Sequence, residues 1–192
     1  RKEYSDIVSF EKNNHDLVAD LGMTDRFKDK SAKYYNIEQL IGGAGNNTLV
    51  GAKNVRNTLD GGIGTSSIWG GGASADLMVS GTGSATDHYT TFFYGTGDGY
   101  DTIEGFRTTE RTEAHFKRDI LDIHSGDVAS VRKVGTSIVV NMANRTDRLT
   151  IRNAASGLFD QLIEVNVKGK KGAAKVTGAD EIVTYDPHAQ YY

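Results

Sequence analysis

The chain has 192 residues, a net charge of −3, 23 glycines, one proline and no cysteine. Its 38% hydrophobic content can fill the core of one domain or two small ones. The missing cysteines exclude disulfides and thiolate chemistry. The near-balanced charge removes any general pull toward nucleic acid or an anionic bilayer, and no apolar run approaches the ~18 residues of a spanning helix.

The chain opens at Arg1 without an initiator Met or an apolar leader, so it is expected to be a segment of a longer polypeptide whose export signal lies elsewhere. Residues 1–41 alternate weakly ("YSDIVSF", "HDLVADLGM", "YYNIEQLIGG"). This predicts irregular strands leading into a solenoid, with Ile37, Leu40 and Ile41 entering its core. The charged residues between 25 and 33 read as a solvated loop.

Sixteen glycines fall between Gly42 and Gly105, and they are periodic. Units start at 42, 52, 61, 71, 80 and 96 and read GGAGNNTLV, AKNVRNTLD, GGIGTSSIW, GGASADLMV, SGTGSATDH and TGDGYDTIE. Glycines permit a tight turn with positive φ and let its carbonyls converge inward. The three residues that follow make a short strand whose middle side chain faces one side. That middle position holds Leu49, Leu59, Ile68, Met78 and Ile103, an apolar ladder that a flexible linker would not build.

These units resemble the RTX, or hemolysin-type calcium-binding, nonapeptide repeat. "FFYGTGDGYDTIEGF" (92–106) is similar to the last repeat of such arrays, which leads into a β-rich cap. The resemblance covers residues 42–105 strongly and the next segments more loosely. It implies an all-β fold: a right-handed parallel β-roll over 42–105, entered through 1–41 and closed by a small antiparallel β region within 106–192. It also implies calcium held between turns by glycine carbonyls and sixth-position aspartates.

The sixth positions depart from that pattern: Asn47, Asn57, Ser66, Asp76, Ala85 and Asp101, with Asp87 a stand-in in the irregular fifth unit. In a two-sided roll alternate units stack. One row then aligns Asn47, Ser66 and Asp87 or Ala85, and the other aligns Asn57, Asp76 and Asp101. Calcium affinity depends on how many charged oxygens surround the ion, so the first row reads as closed by hydrogen bonds. The second offers one calcium site with Asp76, Asp101, Asn57 and Asp98 as candidate ligands; the alternative is that both aspartates only cap turns.

After Gly105, "RDILDI", "VASVRKV", "SIVVNM" and "DRLTIRN" read as strands separated by turns at 125–126, 135–136 and 144–147. Val131, Val134, Ile138, Val140, Leu149 and Ile151 are expected in an antiparallel cap. "GLFDQLIEVNV" suggests a helical turn and a strand. "KGKKGAAK" (168–175) reads as a solvated hairpin loop, since no aromatics interleave its lysines as in a nucleic-acid patch.

Chemistry-bearing constellations are scarce. His15, His88, His115, His124 and His188 lack zinc-ligand spacing, and His124 beside Asp122 and Asp127 is only an acidic neighbourhood. There is no GxSxG elbow and no phosphate loop. The expected function is therefore non-enzymatic: a structural module of a large exported bacterial surface protein (adhesin, surface layer or filament), partnered by copies of itself or other surface proteins. Nucleic-acid binding and membrane insertion are not expected. The alternatives are an accessory C-terminal module of an exported protease, lipase or epimerase, and a secreted toxin fragment. On the outer face Trp69, the sole tryptophan, beside Val50 forms an apolar patch that the cap or another molecule should cover.

Overall fold

The computed structural model describes residues 6–22, 37–82, 88–110, 118–154, 161–167, 170–176 and 184–186. The expectations for 25–33, Ala85, Asp87, His115, His188 and the helical turn before Gln161 lie outside the described residues.

Among the described residues there are strands and turns but no helix, and hence no helix long and apolar enough to cross a membrane. In chain order the strands are β1 (Ile7–Ser9), β2 (Leu17–Asp20), β3 (Gln39–Ile41), β4 (Asn47–Val50), β5 (Thr58–Asp60), β6 (Ser66–Trp69), β7 (Leu77–Val79), β8 (Thr90–Tyr94) and β9 (Tyr100–Glu104). There follow β10 (Thr109–Glu110), β11 (Ile120–Ile123), β12 (Val128–Val134), β13 (Ser137–Met142), β14 (Arg148–Ile151), β15 (Gln161–Val167), β16 (Lys170–Val176) and β17 (Thr184–Asp186).

They form two sheets, with orders β1-β3-β5-β7-β9-β14-β13-β12 and β17-β16-β15-β11-β8-β6-β4-β2. From β1 to β9 consecutive strands fall in the two sheets by turns, and each of β1 to β7 pairs in parallel with the strand two places on. The three-residue strand β7 is short because glycine turns at 70–72 and 81 interrupt it on both sides. Gly62 (φ 73°) and Gly71 (φ 102°) show why such turns need glycine. A Cβ there would sit 2.3 and 2.2 Å from the carbonyl oxygens of Gly42 and Gly51 in the neighbouring turn. In the glycine-poor unit AKNV, Asn54 takes the left-handed conformation (φ 61°), as its short polar side chain allows.

The core lies between the sheets. Leu49, Leu59, Ile68, Met78 and Ile103 are fully buried, as their spacing predicted. Leu49, Ile68, Phe92 and Leu121 stack in register on one sheet; Leu40, Leu59, Met78, Ile103 and Ile151 stack on the other. Ile37 packs against the core and Leu40 is buried within it, whereas Ile41 is half-buried on the opposite face of β3, because side chains alternate along a strand.

Several expectations are corrected. Thr90 of β8, not residue 85 or 87, pairs with Ser66, because the insertion after Gly81 shifts the fifth unit. "RDILDI" forms the strand β11, which adds in parallel to β8 and then to β15. The antiparallel strands β12 and β13 reach the first sheet through β14, which pairs in parallel with β9. Ile138, Val140, Leu149 and Ile151 are buried there, but Val131 is only half-buried and Val134, at the β12–β13 turn, is 58% exposed. Lys170, Lys171 and Lys175 lie in strand β16, paired antiparallel to β15, rather than in a loop.

Candidate functional site

The sixth-position residues begin or precede each strand with side chains on the core side, so their polar groups must be satisfied internally. On the second sheet they are Asn47, Ser66, Thr90 and Asp119, all buried. Asn47 Oδ1 accepts the Gly43 N–H at 3.1 Å. Its Nδ2 donates toward the carbonyls of Gly43, Gly45 and Gly61 and to Ser66 Oγ, at 3.0, 3.1, 3.2 and 3.3 Å. Ser66 Oγ in turn donates to the Gly61 carbonyl at 2.6 Å. This row closes its turns with neutral hydrogen bonds until it reaches Asp119. There the carboxylate accepts the Thr90 N–H at 2.7 Å, the Ser80 hydroxyl at 2.7 Å and the Arg107 guanidinium at 2.9 Å.

On the first sheet Asn57, Asp76 and Asp101 align as expected. Asp76 Oδ1 accepts the Asn57 N–H at 2.7 Å, and Asp101 Oδ1 accepts the Asp76 N–H at 2.9 Å. Each carboxylate thus reaches back to the sixth-position residue of the preceding strand in its own sheet, as Asp119 does toward Thr90. The next residue in register is Leu149, which cannot continue the chain of acceptors. Asp76 Oδ2 accepts the Ser74 hydroxyl at 2.7 Å, but Asp101 Oδ2 is buried without a partner. Both Oδ2 atoms face Gly70: a Cβ there would stand 2.9 Å from that of Asp76 and 3.1 Å from that of Asp101.

Two nearly solvent-free carboxylates facing one point cannot both carry charge cheaply. Burial, then repulsion from Asp76, Asp98 and Asp147, pushes the Asp101 carboxyl up to about 8, against the backbone hydrogen bond from Asp76. Burial also raises Asp76. Asp98 is pushed up to about 6, mainly by burial and despite the Gly95 N–H and the nearby His124.

The structure brings Asp76 and Asp101 together, with the Asn57 N–H on Asp76 and Asp98 near enough to repel Asp101, while the side-chain oxygens of Asn57 and Asp98 bond other backbone groups. Asn57 Oδ1 is turned to the preceding turn, accepting the Ala52 N–H at 2.7 Å. Asp98 Oδ2 accepts the Gly95 N–H at 2.7 Å. Among the described residues no three His, Asp or Glu side chains are arranged to hold a metal ion. The orphaned Asp101 oxygen opposite Asp76 fits a hard cation completed by backbone oxygens.

Two buried carboxylates escaped sequence reasoning. Asp119 sits inside "RDILDI", and the signal was its place one residue before an alternating strand, as in the repeats. Asp147 accepts the Gly97 and Gly99 N–H groups at 2.7 and 2.9 Å and the Asn144 amide, pinning the β13–β14 turn to the last glycine turn. Nothing local announces that partnership.

On the outer face Val50, Trp69 and Phe93 are neighbours in register. Trp69 is half-buried and stacks on Phe93, ring centroids 3.9 Å apart and planes within 5°. No family model matches this chain, and no curated protein matches its sequence.

Proposed function

We propose that the chain is a non-enzymatic structural module, a right-handed parallel β-roll of RTX type within a large exported bacterial surface protein such as an adhesin, surface layer or filament. The observation that carries this reading is the inward polar row repeated turn after turn. Asn47, Ser66, Asn57, Asp76 and Asp101 each bond backbone of their own or an adjacent turn. Such groups build a rigid rod and leave the outer faces for contacts. In this reading the Asp76–Asp101 pair takes up about one calcium ion, and Trp69 with Val50 contributes to contacts with copies of the chain or other surface proteins.

The test joins calcium titration to assembly. Calorimetry should give about one ion per chain, lost in Asp101→Asn. Sedimentation should show concentration-dependent association, weakened in Trp69→Ala without a matching loss of folded protein. A chain that stays monomeric at millimolar concentration, alone and with other surface proteins of its source, overturns the assembly reading.

A further inference from the structure

We infer that copies of this chain stack head to tail, the β1 edge of one adding as a strand to the β12 edge of the next. β1 and β12 are the opposite edges of the same eight-stranded sheet. Their directions decide how they can meet. β12 runs antiparallel to β13 and β13 antiparallel to β14, while β14, β9, β7, β5, β3 and β1 are joined by parallel pairs. β12 therefore points the same way as β1. Moving a copy along the stack, without turning it over, presents its β1 in parallel to β12, the pairing that the rungs of the roll already use. Because unlike ends meet, the contact is heterologous and repeats into an open stack. This deepens the assembly reading and rests on it.

Both edges suit the union. The Asp6 carbonyl and the Phe10 N–H bond β3, so by alternation Ile7 and Ser9 turn their N–H and C=O to the other side. Among the described residues no strand pairs there. Edge strands are commonly blunted by charge or proline, and β1 carries neither. β12 is blunted at its start by the bulge between Val128 and Ser130, but Ser130–Val134 stay in unbroken register with β13, long enough for the three residues of β1. Ile7 and Val134, on the outer side of these two edges, are 55% and 58% exposed. Val8 and Val131 both pack inward against the core, and matching them carries the apolar ladder across the junction with Ser9 beside Arg132. Charge chooses the partner end. Exposed Asp6 and Glu11 flank β1, whereas β12 holds Arg132 and Lys133 and no carboxylate. Two β1 ends would repel each other.

The experiment is sedimentation velocity on the full chain with each end blocked in turn. Ile7→Pro removes an edge donor that β3 does not use. Ser9→Lys leaves the backbone intact and sets a like charge against Arg132, so it decides the matter if the proline variant fails to fold. Arg132→Glu combined with Val134→Glu blocks the other end by facing Glu11. All four side chains are exposed, so circular dichroism melts should stay near wild type. Wild type should associate as concentration rises, and each blocked chain alone should stay monomeric over the same range. An equimolar mixture of Ser9→Lys with the double-glutamate variant should form dimers and nothing longer, because one intact β12 edge and one intact β1 edge remain. A blocked chain that associates as wild type does overturns the inference and leaves the assembly reading standing, with its contact elsewhere, as at Trp69. A mixture that stays monomeric also overturns it. A wild-type chain that is itself monomeric overturns both.

Discussion

Asn47 and Asp101 stand at equivalent points of the two polar rows, and their surroundings are opposite. The Asn47 amide has more acceptors than it has hydrogens; Asp101 has a buried oxygen with no donor. The turns differ in sequence, and the next residue in register is Ser66 beside Asn47 but Leu149 beside Asp101. A neutral amide can be buried for the cost of satisfied hydrogen bonds, whereas a second buried carboxylate needs a proton or a cation. The first row is thus complete in itself, and the second depends on what the solution supplies.

The comparison can be broken most severely at what both rows share. Ile68→Asp would bury an unpaired carboxylate in the common core, costing several kcal/mol, on the order of a whole domain's stability. Circular dichroism should show an unfolded chain, and a cooperative, near-native melt would mean the ladder is not the core. Next comes Asp119→Ala, which strips the self-sufficient row of its one charged member and leaves Arg107, only 22% exposed, without its partner. A loss of about 3 kcal/mol is expected in urea unfolding, insensitive to calcium. Trp69→Ala, on the outer face of that sheet, should lower the melting temperature by roughly 4 °C, since the stack is worth about 1 kcal/mol beyond area and the site is half-buried.

The dependent row should respond more gently. With Kd near 10⁻⁴ M, removing millimolar calcium costs about 1.4 kcal/mol, read as a small drop in melting temperature in EDTA. Collapse of the whole fold would show that the amides and serine are better ligands than their geometry implies. The last effect is the slope with pH in EDTA. Asp101 holds its proton up to about pH 8 when folded but loses it near 4 when unfolded. The folded state binds more protons across that window, so stability should fall as pH rises from about 4 to 8. Asp101→Asn should flatten the slope and, at pH 8, match or exceed the wild type.

How much of this was legible follows from how local each feature is. The inward ladder of Leu49, Leu59, Ile68, Met78 and Ile103 could be read because its period is written in consecutive residues. So could the alignment of Asp76 with Asp101 and the hydrogen-bonding role of Asn47 and Ser66. The fifth rung was missed because an insertion after Gly81 displaces Thr90 and Phe92 from the period. Asp119 was missed for the same reason one rung later. Asp147 depends on where the β13–β14 turn lands, which is a tertiary fact. The turning of the Asn57 side-chain oxygen toward Ala52 was hidden because spacing shows which residues share a row, not which way an amide oxygen turns.

The pairing of Asn47 with Ser66 and of Asn57 with Asp76 joins positions nineteen apart, while Ser66 with Thr90 and Asp76 with Asp101 join positions 24 and 25 apart. Pulled from its two ends along the stack, such a chain cannot shear all its strands at once. It must peel rung by rung, a nineteen-residue step lengthening the molecule by roughly 60 Å and the later steps by more. A stack of strands paired this way yields in separate increments, where a sheet sheared along all its strands at once would give way in one step.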